Sequence, residues 1–97
     1  MVYESKIKSP AVDAFFEAVL SMETVEECYR LFDDVATYAE VQSLAQRWQV
    51  ARMLADNETY TEIVEATGAS TATISRVKKC LTYGADGYTL ALQRTKK

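Results

Sequence analysis

The chain has 97 residues and a net charge of −3; 48% of its residues are hydrophobic, three are Gly and one is Pro. This composition predicts a single, packed, mainly helical domain over residues 1–97 and excludes a disordered chain. No apolar run approaches the roughly 20 residues of a membrane span and the N-terminus lacks the layout of a signal peptide, so we expect a cytoplasmic protein without membrane contact.

The predicted helices begin at recognisable caps. Ser9-Pro10 opens the first helix, with Ser as N-cap and Pro at the first helical position, where its missing N–H costs nothing. A Thr followed three residues later by Glu, the pattern of a capping box, opens further helices at Thr24, Thr37 and Thr59. The helix after Thr37 is the longest, over about residues 38–55, and residues 88–93 can form a short last helix. The sequence thus predicts an all-α chain of five or six helices.

Apolar residues recur at helical spacing in the first two helices and predict one buried face on each. These faces carry Val12, Phe15, Phe16, Val19 and Leu20 on the first helix and Val25, Cys28, Tyr29 and Phe32 on the second. They offer more aromatic surface than one small monomer needs, which favours a dimer. The alternative is a monomer whose first helix packs on its own core.

Residues 59–83 have the pattern of a helix-turn-helix. Gly68 ends the first helix, since glycine adopts the left-handed conformation without a Cβ clash, and Ser70 is the N-cap of the second helix. Ile74, Val77 and Leu81 fall together on the second helix and are predicted to face the core. Two helices joined by so short a turn cross steeply, which allows the second helix to enter a major groove.

The outer side of that second helix carries residue types that DNA recognition uses. Small side chains allow close approach to base edges, a serine hydroxyl can bond bases or phosphates, and Arg or Lys can reach guanine or the backbone. Residues 69–97 carry six basic side chains and one acidic, against five basic and 13 acidic in residues 1–68. A basic face of this kind can bind DNA although the whole chain is acidic. The predicted DNA-contacting residues are Ser70, Thr71, Ala72, Thr73, Ser75, Arg76, Lys79 and Tyr83.

With these residues in view, the chain resembles the tryptophan repressor superfamily and, within it, the YerC/YecD family of bacterial proteins. The resemblance covers about residues 15–92 and is most specific in residues 37–47 (TYAEVQSLAQR) and 68–76 (GASTATISR). It implies a fold of about six helices in an intertwined homodimer, whose two helix-turn-helix units face successive major grooves. It also implies a sequence-specific transcriptional regulator, most simply a repressor, that binds double-stranded DNA.

The resemblance further implies a site for a small effector. In the tryptophan repressor two arginines and a threonine line the ligand pocket, and Thr37, Arg47 and Arg76 occupy the matching positions here. The repressor has glycine after the second arginine, whereas this chain has Val77, whose methyl groups would overlap the indole ring. We therefore predict no tight tryptophan binding and no cofactor: either Val77 fills the pocket, or the pocket takes a smaller ligand. Arg76 could instead contact DNA, and Arg47 could cap or salt-bridge the long helix.

Other functional classes fit the sequence less well. The main alternative to DNA binding is a protein-interaction module that uses the helix-turn-helix as a scaffold, because fold does not determine function. Catalysis is not expected, since no carboxylate pair and no serine or cysteine beside a base stands out. Cys28 and Cys80 occur without any histidine, so they cannot form a Cys/His zinc site. We predict no metal and expect both thiols to be buried and structural.

Overall fold

The computed structural model of this chain describes residues 3–96 and has six α-helices in that range: α1 (Pro10–Leu20), α2 (Val25–Val35), α3 (Tyr38–Ala55), α4 (Tyr60–Thr67), α5 (Thr71–Tyr83) and α6 (Gly87–Thr95). Within these residues there is no strand, and no helix is long and apolar enough to cross a membrane. The predicted all-α fold of about six helices is confirmed.

The described residues divide into two compact units, one ending at Tyr38 and the other beginning at Ala39. The N-terminal unit contains α1 and α2. The C-terminal unit contains α4, α5, α6 and all of α3 except its first residue. The assignment of residues 1–97 to a single domain stays a prediction.

Side-chain caps explain where α1 and α2 begin. The Ser9 hydroxyl accepts a backbone N–H (3.1 Å), and Pro10 is the first residue of α1, as predicted. The Thr24 hydroxyl accepts from the Glu27 N–H (3.1 Å), whereas the Glu27 carboxylate accepts from the Glu23 N–H (2.8 Å). The cap at Thr24 is therefore confirmed. The prediction of a complete capping box is wrong for α2, because the Glu27 carboxylate accepts from the Glu23 N–H instead of the Thr24 N–H.

The N-terminal unit has no buried side chain among its described residues. Its two helices meet through the rings of Phe15 and Phe32, which lie edge to face with centroids 5.9 Å apart. Two short helices supply too little surface to cover both of their own apolar faces. The prediction that both apolar faces are buried is therefore wrong within the single chain for four residues. These residues are exposed: Phe16, Leu20, Val25 and Tyr29.

The C-terminal unit has a core built from three helices and one turn residue. Its buried side chains are Val50, Ala51 and Met53 of α3, Ile63 of α4, Ala69 of the turn, and Ile74 and Val77 of α5. Leu81 packs at the edge of this cluster, so the predicted inward stripe of α5 is confirmed. Burying one Ile or Val side chain contributes about 1.5–3 kcal/mol relative to exposure. The core therefore holds α4 and α5 firmly on α3.

Helix α6 packs on α3 through an aromatic stack. The rings of Trp48 and Tyr88 are nearly parallel (13°), with centroids 6.4 Å apart. Burial raises the pKa of the Tyr88 hydroxyl above its ordinary value, and the positive charge of Arg47 offsets part of that rise. The short last helix is confirmed, with wider bounds than predicted, and Trp48 packs against the buried core while remaining half-buried.

Both cysteines are free thiols. Cys28 is half-buried but Cys80 is exposed, so the expectation of two buried thiols is wrong for Cys80. Cys80 follows Lys79 on α5 and lies about a quarter-turn from the inward stripe, because successive helical residues are about 100° apart. Helix geometry thus places this thiol at the surface.

Candidate nucleic-acid interface

Helix α4, the first helix of the predicted helix-turn-helix, begins with a complete capping box. The Thr59 hydroxyl accepts from the Glu62 N–H (3.2 Å), and the Glu62 carboxylate accepts from the Thr59 N–H (2.7 Å). These bonds hold the pKa of the Glu62 carboxyl below its usual value, because they stabilise the charged form. The predicted cap is confirmed, and it holds the Glu62 carboxylate at the N-terminus of α4.

The turn between α4 and α5 has a defined set of hydrogen bonds. Gly68 has a φ of 72°, in the left-handed region, and its N–H bonds the Val64 carbonyl (2.9 Å). The Thr67 hydroxyl donates to the Ile63 carbonyl (2.7 Å) and accepts from the Ala69 N–H (3.1 Å). The predicted role of Gly68 is confirmed, and the buried Ala69 anchors the turn in the core.

Helix α3 holds this turn through Gln46, a residue that sequence reasoning missed. The Gln46 side-chain amide donates from Nε2 to the Thr67 carbonyl (3.1 Å), a bond between residues 21 apart. The last carbonyls of a helix lack partners within that helix, so this amide satisfies one of them. No local signal indicates such a bond, because it depends on how α3 and α4 cross.

Helix α5 begins at a serine cap, as predicted. The Ser70 hydroxyl accepts from the Thr73 N–H (3.1 Å) and donates to the Thr73 hydroxyl (3.1 Å). Beyond this cap, Ile74 and Val77 are buried in the core. Thr73 is half-buried, and the other seven predicted DNA-contacting residues are exposed: Ser70, Thr71, Ala72, Ser75, Arg76, Lys79 and Tyr83. All eight thus lie at the cap or along α5, and their contact with DNA stays a prediction.

The accessible part of α5 is basic. Arg76, Lys78 and Lys79 are exposed, and no acidic residue occurs between Glu65 and Asp86. The free N–H groups at the start of a helix add a partial positive charge. Together the three cations and the helix N-terminus form a surface that attracts phosphate.

Two side chains that sequence reasoning did not select connect α4 with α5. The Tyr60 Oη lies 3.4 Å from the Ser75 Oγ. The Lys78 Nζ lies over the Tyr60 ring, 5.8 Å from its centroid. Tyr60, Ser75 and Lys78 together form the bridge cluster. The i, i+3 spacing of Ser75 and Lys78 indicates that they share a flank of α5, but their meeting with Tyr60 depends on the crossing of the two helices.

The predicted effector residues lie on different elements. Arg47, on α3, is half-buried and lines an open depression with Ala39, Glu40, Ser43 and Leu44. Arg76 is exposed on α5, and Thr37 is exposed just before α3. Val77, whose methyl groups are predicted to overlap an indole ring, is 1% exposed and belongs to the core. A site formed by Thr37, Arg47 and Arg76 stays a prediction.

Comparison with known proteins identifies the family. The family model described as "Trp repressor protein" matches residues 10–96. YerC of Bacillus subtilis (strain 168), an uncharacterized protein, is 55% identical over 92 residues, which are 95% of this chain and 88% of YerC.

Two solved structures share the fold at high sequence identity. A TrpR-like protein from Eubacterium eligens ATCC 27750 superposes with a TM-score of 0.88 and 50% identity, over 92% of each chain. A proposed Trp repressor from Staphylococcus aureus superposes with a TM-score of 0.87 and 52% identity, over 92% of this chain and 89% of that one. Members of the Trp repressor family are DNA-binding regulatory proteins rather than enzymes. The chain described here belongs to the Trp repressor family, in its YerC/YecD branch.

Proposed function

We propose that this chain is a sequence-specific DNA-binding transcriptional regulator, a repressor, which acts as a homodimer through α4 and α5 without requiring tryptophan. The observation that carries the proposal is the two-sided character of α5. Ile74 and Val77 are buried in the core, whereas Arg76 and Lys79 are exposed with no acidic residue nearby in sequence. A helix held so firmly on its inner side presents its outer side in one orientation, as recognition of base edges requires.

The exposed residues divide by the DNA contacts they suit. Ala72, near the start of α5, can pack its methyl group against a thymine methyl group. Ser75 and Arg76 can bond base edges or phosphates, and Lys79 can reach the backbone. The proposed recognition surface thus combines sequence readout with phosphate contacts.

The proposed homodimer is supported by the N-terminal unit. Its exposed apolar side chains include Leu20, Val25 and Tyr29, and it has no buried residue among those described. Such a surface is costly in water and is typical of an interface. A second copy of the chain covers it with the same surface under two-fold symmetry. The two α5 helices of a dimer would then enter major grooves about 34–36 Å apart.

Independence from tryptophan is supported by the burial of Val77. A side chain that is 1% exposed in the core leaves no room for an indole ring at that position. We expect titration calorimetry with tryptophan to give no binding heat. Binding at micromolar tryptophan concentrations would contradict this part of the proposal.

The test of the whole proposal is selection of bound sequences from a random duplex library with purified protein and no added ligand. We expect enrichment of a palindrome whose half-sites lie about 10–10.5 base pairs apart, centre to centre. Such a result establishes sequence specificity and two-fold symmetry together. Failure to enrich any sequence, even at low salt and with amino acids added, would replace this proposal with a protein-interaction role.

A single substitution tests the orientation of α5 on the DNA. Lys79→Ala should weaken binding to all duplexes alike and lower the slope of log K against log salt by about one, because one phosphate contact is lost. The matched control is Lys96→Ala, which removes the same charge just beyond α6. An unchanged slope for Lys79→Ala would mean that this side chain does not contact DNA.

A further inference from the structure

We propose that the bridge cluster of Tyr60, Ser75 and Lys78 binds one phosphate of the DNA backbone, at the edge of the recognition surface. This inference rests on the proposed function, because the phosphate belongs to the bound duplex. It adds two residues, Tyr60 and Lys78, to those expected at the DNA. It also gives α4 a direct part in binding.

The two hydroxyls of the cluster leave one donor for a ligand. Tyr60 Oη and Ser75 Oγ lie 3.4 Å apart, and either can donate to the other. Each hydroxyl carries one proton, and only one of the two protons can lie between the oxygens. The other O–H is therefore available to donate outward. A phosphate oxygen, which only accepts, is a suitable partner for it.

The lysine supplies the positive charge and is partly oriented in advance. Lys78 Nζ lies 5.8 Å from the centroid of the Tyr60 ring, within the range of a cation–π contact. Among the residues that the structure describes, no carboxylate lies within ion-pair distance of Lys78. The ammonium group therefore lies over the Tyr60 ring and is not neutralised by an ion pair. Restricting a flexible side chain before binding lowers the entropy cost of the contact.

The position of the cluster fits a backbone phosphate better than a base edge. Ser75 and Lys78 lie on the flank of α5 between its buried stripe and its outermost residues, on the side of α4. Tyr60 is the first residue of α4, where the helix dipole favours an anion. Glu58 lines a depression together with Tyr60 and Lys78, whereas Ser75 is not part of its lining. The phosphate is accordingly expected on the Ser75 side.

The test measures affinity against salt concentration for two duplexes, the sequence enriched by selection and a random duplex of equal length. Lys78→Ala should lower the salt slope by about 0.9 and weaken binding to both duplexes by the same factor, about fivefold at moderate salt. Tyr60→Phe keeps the ring and removes the hydroxyl. It should weaken binding to both duplexes by about threefold to fivefold and leave the slope unchanged, since no charge is lost.

The double variant Tyr60→Phe/Ser75→Ala sharpens the test. Removing one hydroxyl leaves the O–H of the other free to donate, whereas removing both leaves no donor, so the double variant should bind more weakly than either Tyr60→Phe or Ser75→Ala alone. Lys96→Ala is the matched loss of charge and should leave the slope at its wild-type value. Equal thermal unfolding of all variants confirms that each one folds.

The outcomes separate this inference from the proposed function. If the wild-type protein binds neither duplex, the proposed function is wrong and the phosphate site is wrong with it. If the wild-type protein binds but Lys78→Ala keeps the wild-type slope, or Tyr60→Phe keeps the wild-type affinity, only the phosphate site is wrong. A variant that loses affinity for the enriched duplex and keeps its affinity for the random duplex would also overturn the phosphate site, because that result indicates base readout.

Discussion

The two units of this molecule differ in how far their apolar side chains are buried. The C-terminal unit buries side chains from α3, α4 and α5 in one core, whereas the described residues of the N-terminal unit include no buried side chain. Both units have the same helical spacing of apolar residues. They differ in whether other helices of the same unit cover the apolar stripe. Amphipathic spacing therefore predicts that a face will be covered, but not which surface covers it.

This difference matches a division of tasks under the proposed function. The C-terminal unit supplies a well-packed support for α5, so the orientation of the recognition helix is set within one chain. The N-terminal unit supplies apolar surface for assembly, so its stability depends on a second copy. Four predictions test this comparison.

The largest effect is expected from truncating the core of the C-terminal unit. Ile74→Ala removes a fully buried side chain and should lower the free energy of unfolding by about 2–5 kcal/mol. The matched control is Val64→Ala on α4, where the side chain is 37% exposed and the loss should stay below about 1 kcal/mol. Urea unfolding at one fixed protein concentration measures both. Equal losses would contradict the assignment of the core to this unit.

The second prediction concerns the N-terminal unit. Leu20 is 83% exposed in the single chain, so Leu20→Glu would be harmless in a monomer. In the proposed homodimer it should weaken association by about 1.5–3 kcal/mol per chain, the contribution of a buried leucine. The control, Ala14→Glu, places the same charge on the opposite side of α1. Sedimentation equilibrium decides: identical masses for Leu20→Glu and the wild-type protein would mean that no second copy covers this face.

Smaller changes in stability, of opposite sign to each other, are expected when alanine replaces Gly84 at the end of α5 and Gly87 at the start of α6. A Cβ at Gly84 would overlap the Cys80 carbonyl oxygen, so Gly84→Ala forces the backbone to shift and should cost about 1–2 kcal/mol. A Cβ at Gly87 meets nothing within 4 Å, so Gly87→Ala should stabilise by about 0.4–1 kcal/mol through the unfolded state. Thermal unfolding of the pair measures the contrast. Equal changes at both positions would show that the approach to Cys80 imposes no constraint.

The smallest effect is the pH dependence of the α4 cap. The pKa of Glu62 is lowered in the folded state by its bonds to Thr59. The carboxylate therefore stabilises the fold fully above its ordinary pKa of 4.5, and this contribution is lost as the pH falls through the lower folded value. The wild-type protein should unfold at a higher temperature than Glu62→Gln at pH 7, with the gap narrowing towards pH 3. A gap that stays constant with pH would contradict the cap as its source.

Much of the fold and of the candidate site could be predicted because it depends on short stretches of chain. The cap at Ser9, the capping box at Thr59 and the left-handed turn at Gly68 each involve residues within four positions of one another. The buried stripe of α5 follows from its periodicity alone. Hydrogen bonds and rotations within one helix are the same wherever that helix packs, so sequence alone suffices for them.

Tertiary structure decided what lies between elements. The bond from Gln46 to Thr67, the bridge cluster around Tyr60 and the stack of Trp48 on Tyr88 join residues 15 to 40 positions apart. Such contacts depend on crossing angles and side-chain volumes, which no local pattern encodes. The exposure of Leu20 has the same origin: periodicity marks the residue as apolar and facing one side, and only the arrangement of neighbouring helices determines whether anything in the chain covers it.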